Sequence, residues 1–101
     1  MFTVILCTAP ADEVENIVRP LVEEKLVACV NVVEVKSFFR WEGKMEVEKE
    51  SLLVMKTRTD KISDVIARVR ELHSYDVPEV IALPVIGGFE GYLDWVKNSV
   101  E

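Results

Sequence analysis

The stretch Ala28-Cys29-Val30-Asn31-Val32-Val33-Glu34-Val35-Lys36-Ser37-Phe38-Phe39-Arg40-Trp41-Glu42-Gly43-Lys44-Met45-Glu46-Val47-Glu48-Lys49-Glu50-Ser51-Leu52-Leu53-Val54-Met55-Lys56-Thr57 decides the fold. Two runs rich in Val, Phe and Leu, 28–41 and 45–57, flank Glu42-Gly43-Lys44, and a Gly between two such runs signals a hairpin. Fully extended, arms of this length reach about 43–46 Å, whereas a compact chain of this size has a diameter of about 35 Å. The arms exceed their own domain, and the outer Phe38-Phe39-Arg40-Trp41 is aromatic where solvent alone would not favour it. The ribbon is therefore expected to reach onto neighbouring subunits; a twisted or bulged arm that curls back is the alternative. A three-residue loop sets Arg40 opposite Glu46, Lys36 opposite Glu50, Trp41 opposite Met45 and Phe39 opposite Val47. Glu46, Glu48 and Glu50 share one strand face, which reads as a solvated surface and otherwise as a site for a hard cation.

Outward from the hairpin, residues 2–8 are almost uniformly apolar and read as a strand buried on both faces. Asp12 is placed to cap a helix with Val14, Ile17, Val18, Leu21 and Val22 on one face, bent at Pro20. Thr59-Asp60 is placed to cap a second helix carrying Ile62, Val65, Ile66, Val69 and Leu72 inward. Pro78 precedes a strand over 80–85, and Gly87-Gly88 precedes a last helix with Phe89, Tyr92, Leu93 and Val96 inward. The order is βαββαβ plus a terminal helix, an α+β, ferredoxin-like sandwich with an over-long second hairpin, filling residues 1–101 as one domain. Right-handed crossovers give the strand order 4-1-3-2 with both main helices on one sheet face.

The net charge is -6 and no Lys/Arg cluster tracks phosphates, so nucleic acid is excluded as a partner. No apolar run approaches the roughly 20 residues of a membrane span, so no membrane partner is expected. The start, Met1 to Thr8, lacks the basic segment of a secretion signal and implies the cytoplasm. Cys7 and Cys29 form neither a disulfide framework nor a C-x-x-C pair.

The topology brings Cys7, His73, Tyr75 and Asp76 to one edge of the sheet. Cys7 alone reads as a small buried hydrophobe, and His73 alone as a complement to a helix C-terminus. Together they offer one soft and one borderline ligand, suited to copper or zinc, in a site that is weak or completed across subunits. Cys7 with His73 also makes a nucleophilic dyad on paper, but no orienting group accompanies it, and no Gly-rich phosphate loop precedes either helix. The chain does not read as an enzyme.

The segments Leu6-Cys7-Thr8-Ala9-Pro10, Glu24-Lys25-Leu26-Val27-Ala28-Cys29-Val30-Asn31, Trp41-Glu42-Gly43-Lys44, Lys56-Thr57, Leu72-His73-Ser74-Tyr75-Asp76-Val77-Pro78-Glu79 and Tyr92-Leu93-Asp94-Trp95 resemble, in order, the CutA divalent-cation tolerance proteins. The resemblance implies a cytoplasmic homotrimer with a role in tolerance of copper and other divalent metals. It also implies a likeness to PII-type signalling trimers, which bind small effectors in clefts between subunits. Some members of that family bind copper through a first-strand Cys and two consecutive His after the second helix. Here those positions are Cys7, Leu72 and His73, so the implied metal ligands are Cys7 and His73, holding copper or another divalent metal weakly. Ser74 and Asp76 stand where the family usually has Pro and Glu. The implied cleft residues are Trp41, Lys56, Tyr75, Asp76 and Glu79, with trimer packing as the other role for Trp41 and Tyr75.

Overall fold

The pairing of the long hairpin with itself sets the frame for everything else. In the computed structural model, which describes residues 1–101, β2 (Cys29–Trp41) and β3 (Lys44–Arg58) run antiparallel in unbroken register. Their loop has two residues, not three. Glu42 (φ 50°) and Gly43 (φ 78°) are both left-handed, as a type I′ turn requires, and that turn carries the same right-handed twist as the strands it joins. Trp41 therefore faces Lys44, Arg40 faces Met45, Phe39 faces Glu46 and Lys36 faces Lys49. The expected pairs Arg40–Glu46, Lys36–Glu50, Trp41–Met45 and Phe39–Val47 are each wrong by one residue. Because side chains alternate faces, the slip puts Lys36 and Arg40 on the sheet face opposite to Glu46, Glu48 and Glu50.

The N-terminal strand β1 (Phe2–Ala9) lies between β3 and the short β4 (Val80–Pro84), giving the order β2-β3-β1-β4, all neighbours antiparallel. This is the expected ferredoxin-like sheet. β1 stops at Ala9, opposite Ser51, so residues 44–50 of β3 have β2 as their only strand neighbour. The molecule measures 44 × 25 × 21 Å. One axis is about twice the others, so the ribbon projects and does not curl back.

Helices α1 (Val14–Glu23) and α2 (Ile62–Leu72) cover one face of the sheet. Ile5, Cys7 and Ala9 of β1 and Leu53 and Met55 of β3 pack there against Ile17, Leu21, Val65 and Val69. The other face lacks such a helix pair, and only the last helix, over 90–99, lies against one end of it, near Phe2, Val4 and Lys56. Phe2, Val4, Leu6 and Thr8 alternate with the core residues and are only half-buried, so β1 is not buried on both faces as its composition suggests.

Neither expected helix cap forms. Each helix is entered through a single 3₁₀ turn, Ala11–Glu13 and Thr59–Lys61, with no side-chain bond to the first amides. Asp60 is engaged by Arg58, and the Glu13 carboxylate accepts from the Ser74 amide and hydroxyl. The first helix continues through Pro20, and Lys25 (φ 61°) turns the chain out of it. The last helix, α3 (Glu90–Ser99), buries Val96 with Val100 just beyond it, whereas Phe89 and Tyr92 are exposed and not inward.

The turn geometry makes a direct prediction. Gly43→Ala should lower stability by about 1 kcal/mol, although nothing lies within 4 Å of the added Cβ, because the penalty is conformational. Glu42→Asn should raise it by a few tenths of a kcal/mol to about 1, since Asn tolerates the left-handed region. Urea unfolding at one fixed protein concentration measures both.

Candidate functional site

The backbone carbonyl of Thr8, at the end of β1, is where the chemistry-bearing residues meet. It accepts from His73 Nε2 at 2.7 Å and, more loosely, from Cys7 Sγ at 3.7 Å. His73 follows the last turn of α2 and is 7% exposed. Its Nδ1 accepts from the Tyr75 amide at 3.1 Å. A carbonyl only accepts and an amide only donates, so the ring is the neutral tautomer protonated on Nε2, with both nitrogens engaged. The His73 and Tyr75 rings lie 4.6 Å apart.

Cys7 is wholly buried on the helix-covered face. Burial, reinforced by the Glu79 and Glu50 charges, pushes its thiol up to about 12. The thiolate needed for a metal or a nucleophile is thus strongly disfavoured at neutral pH. The structure brings Cys7 and His73 to the same carbonyl, as their shared edge implies, yet both are occupied. No three His, Cys, Asp or Glu side chains approach closely enough to enclose a metal ion. Ligation by Cys7 and His73 would require displacing the thiol proton and the His73 hydrogen bonds.

Beside this pair opens a cleft of about 800 Å³. The hairpin supplies one wall, with Glu46, Glu48 and Glu50 beside Ser37, Phe39 and Trp41. The connection from α2 to β4 supplies the other, with Tyr75, Asp76 and Glu79, and Thr8 also lines it. Five carboxylates line the cleft and no Lys, Arg or His does. Glu50 is 7% exposed, and its recorded partner is the Tyr75 hydroxyl, which donates to Oε2 at 3.0 Å. Burial, followed by that hydrogen bond and the Glu50 charge, raises the Tyr75 phenol to about 12, so it stays a donor.

Of the cleft residues named from sequence, Trp41, Tyr75, Asp76 and Glu79 come together. Lys56 does not. It lies six residues beyond Glu50 along β3, about 20 Å away, where it donates to Asn31 Oδ1 and to the Val54 carbonyl. There it lines a separate cavity of about 210 Å³ with Gly87, Gly88 and Tyr92. Glu46, Glu48 and Glu50, read from sequence as a solvated strand face and otherwise as a hard-cation site, line the cleft. Their alternation was visible, but the wall facing them comes from residues 75–79, which strand periodicity does not place.

Two measurements check this geometry. Iodoacetamide at pH 8 should label Cys29 and spare Cys7 in the native protein, and label both after unfolding; rapid native labelling of Cys7 would contradict its burial. Tyr75→Phe should cost about 1–3 kcal/mol of stability by leaving the Glu50 carboxylate without its donor, and far less in a Glu50→Gln background, as a denaturation double-mutant cycle reads.

Comparison with known proteins agrees with this architecture. The family described as CutA1 divalent ion tolerance protein matches residues 3–99. The divalent-cation tolerance protein CutA of Archaeoglobus fulgidus is 43% identical over 102 positions, spanning all of both chains. That of Thermus thermophilus is 44% identical, covering 98% of each. Among solved structures, the A. fulgidus protein superposes with a TM-score of 0.97 over both whole chains at 43% identity. The PII-like protein CutA from Nostoc sp. PCC 7120 in apo form gives 0.93 at 37% identity, covering 98% of this chain and 97% of the other. The A. fulgidus protein is described as periplasmic, which overturns the expectation of a cytoplasmic location drawn from the first residues. From the matched span and these identities, the chain belongs to the CutA1 family of divalent ion tolerance proteins.

Proposed function

We propose that the protein serves divalent-cation tolerance as a homotrimer, as a binding protein and not an enzyme, by holding a divalent metal ion, copper among them, weakly in the acidic cleft. The observation that supports this is the lining itself, five carboxylates with no basic side chain. Such a wall lowers the potential inside the cleft and raises the local concentration of cations. With no three ligands converging, an ion keeps part of its water shell or borrows ligands from a neighbouring copy, and either makes binding weak. Cys7 and His73 join as ligands only by giving up the thiol proton and the bonds around Thr8.

That distinction gives the test its shape. Binding by the cleft carboxylates displaces no thiol proton. Ligation by Cys7, whose thiol sits near 12, displaces one proton and strengthens about tenfold per pH unit. Calorimetric titration of Cu²⁺ should show weak binding that Glu46→Gln/Glu48→Gln/Glu50→Gln removes. Any pH-dependent component should vanish in Cys7→Ser/His73→Ala. Equal binding by wild type and both variants would overturn the proposal.

The aromatic side chains Phe39, Trp41 and Tyr75 in the same cleft, together with the likeness to a PII-like protein, favour a second reading. In it the cleft takes a small effector between subunits. The lining favours a cationic or neutral aromatic ligand over an anionic one.

A further inference from the structure

At the base of the hairpin, far from its turn, Cys29, Asn31, Lys56 and Tyr92 converge. Cys29 stands directly opposite Lys56 across β2 and β3, and Asn31 follows two residues on along the same face. Side chains paired in this way have Cβ atoms about 4.5–5.5 Å apart. Both then reach one atom. The Cys29 thiol donates to Asn31 Oδ1 at 4.0 Å, and Lys56 Nζ donates to the same oxygen as well as to the Val54 carbonyl at 3.2 Å. Tyr92 closes the group from α3, its phenol raised by burial first and then by the neighbouring Cys29.

The nitrogen and the sulfur are held side by side without an ion pair to break. The ion pairs of the chain are Arg19–Glu15, Arg58–Asp60, Arg68–Glu24 and Arg68–Glu71, and the recorded partners of Lys56 are two neutral oxygens. Cys29 is half-buried, and its neighbours Lys56 and Tyr92 line the cavity of about 210 Å³ under α3, which leaves the sulfur open to a small oxidant. Cys7 is the contrast, wholly buried with its thiol held up at about 12. The two cysteines cannot pair with each other. β3 lies between their strands, setting them about 9.6 Å apart, and their side chains leave opposite faces of the sheet. Within its own chain, an oxidised Cys29 therefore has an amine beside it and no thiol.

We propose that Cys29 is an oxidative modification site, converted by a peroxide to a sulfenic acid that closes onto Lys56 as a covalent sulfur–nitrogen bridge. In the first step the sulfur attacks one peroxide oxygen and the O–O bond breaks. Sulfur loses two electrons, the peroxide gains them, and the other oxygen departs as water or an alcohol. In the second step Lys56 Nζ, its ammonium proton lost to solvent, attacks the sulfur. The S–N bond forms, the S–O bond breaks, and the hydroxyl leaves as water with a proton from the nitrogen, so no further oxidant is consumed. Sulfenic acids close onto backbone nitrogen in this manner, and an amine held alongside is a stronger nucleophile than an amide. Two equivalents of an external thiol reverse the bridge, giving back Cys29 and Lys56 with one disulfide. Bridging removes a positive charge from the lining of the cavity under α3 and ties the hairpin into a covalent ring, so the oxidised chain differs from the reduced one in charge and stiffness.

The test treats the native protein with hydrogen peroxide and maps its peptides by mass spectrometry without reduction. The expected product joins the Cys29 and Lys56 peptides at a mass two hydrogens below their sum, and dithiothreitol returns it to the free peptides. Cys7 stays reduced. Dimedone, which traps sulfenic acids, should label Cys29 about tenfold more in Lys56→Arg than in wild type, because arginine keeps the charge and is a poor nucleophile. Asn31→Ala should lower the yield of linked peptide several-fold, since the oxygen that holds both groups is gone. Circular dichroism confirms that each variant is folded, and should Lys56→Arg not fold, the wild-type map decides alone. A Cys29 that resists peroxide, that ends only as sulfinic or sulfonic acid or as a disulfide between chains, or that dimedone labels equally in both proteins overturns the inference.

Discussion

Two left-handed residues, Glu42 and Gly43, fix the register of the longest ribbon in the molecule. Every side chain of residues 29–41 is assigned to one face or the other by that turn. Pairing with β1 sets Leu53 and Met55 beside Cys7 and Ile5 beneath the helices, so alternation along β3 turns Glu46, Glu48 and Glu50 to the far side, and the turn places Ser37, Phe39 and Trp41 beside them in the wall of the cleft. Lengthening the loop by one residue would keep the outline of the fold and exchange the faces of the whole second strand. The aromatic part of the cleft wall, Phe39 and Trp41, is in this sense set by the turn that follows it.

The neighbourhood of Thr8 shows how a residue set that reads as reactive can be structural. Cys7 and His73 converge on one carbonyl, but the thiol is held protonated by burial and the imidazole is tied at both nitrogens. Their combined effect is to anchor the connection that carries Tyr75, Asp76 and Glu79 into place across from the hairpin. The open, negatively charged space lies next to this anchor, and it is the space that suits a cation.

The fold was legible because apolar periodicity is a strong, local signal. The strands, both main helices and the strand order follow from it, and so does the projecting hairpin, since arm length needs only counting. What failed was finer than periodicity. The loop length turned on whether Lys44 belongs to the turn, and the backbone twist decided that. Of the expected caps, Asp60 is engaged by Arg58, and Asp12 lies within the 3₁₀ turn that leads into α1, with no side-chain bond to the first amides. Within the site, Trp41, Tyr75, Asp76 and Glu79 were reachable through topology and resemblance, and Lys56 was misplaced because its strand is long enough to serve two ends of the sheet. The burial of Glu50 was invisible, for it depends on Tyr75, twenty-five positions away. The cellular compartment was not legible in the opening residues at all.

The central position of β1 carries a consequence for how the protein comes into being. Of the four strands it is synthesised first, yet its partners are residues 51–58 and 80–84. The hairpin closes locally, on the order of microseconds once its turn exists. The first strand must wait for nearly the entire chain, carrying Val4, Ile5 and Leu6 unsheltered meanwhile, and such distant pairings slow folding and lengthen exposure to aggregation. Synthesis order and assembly order run opposite here, and β1 is the strand that waits longest for its partners.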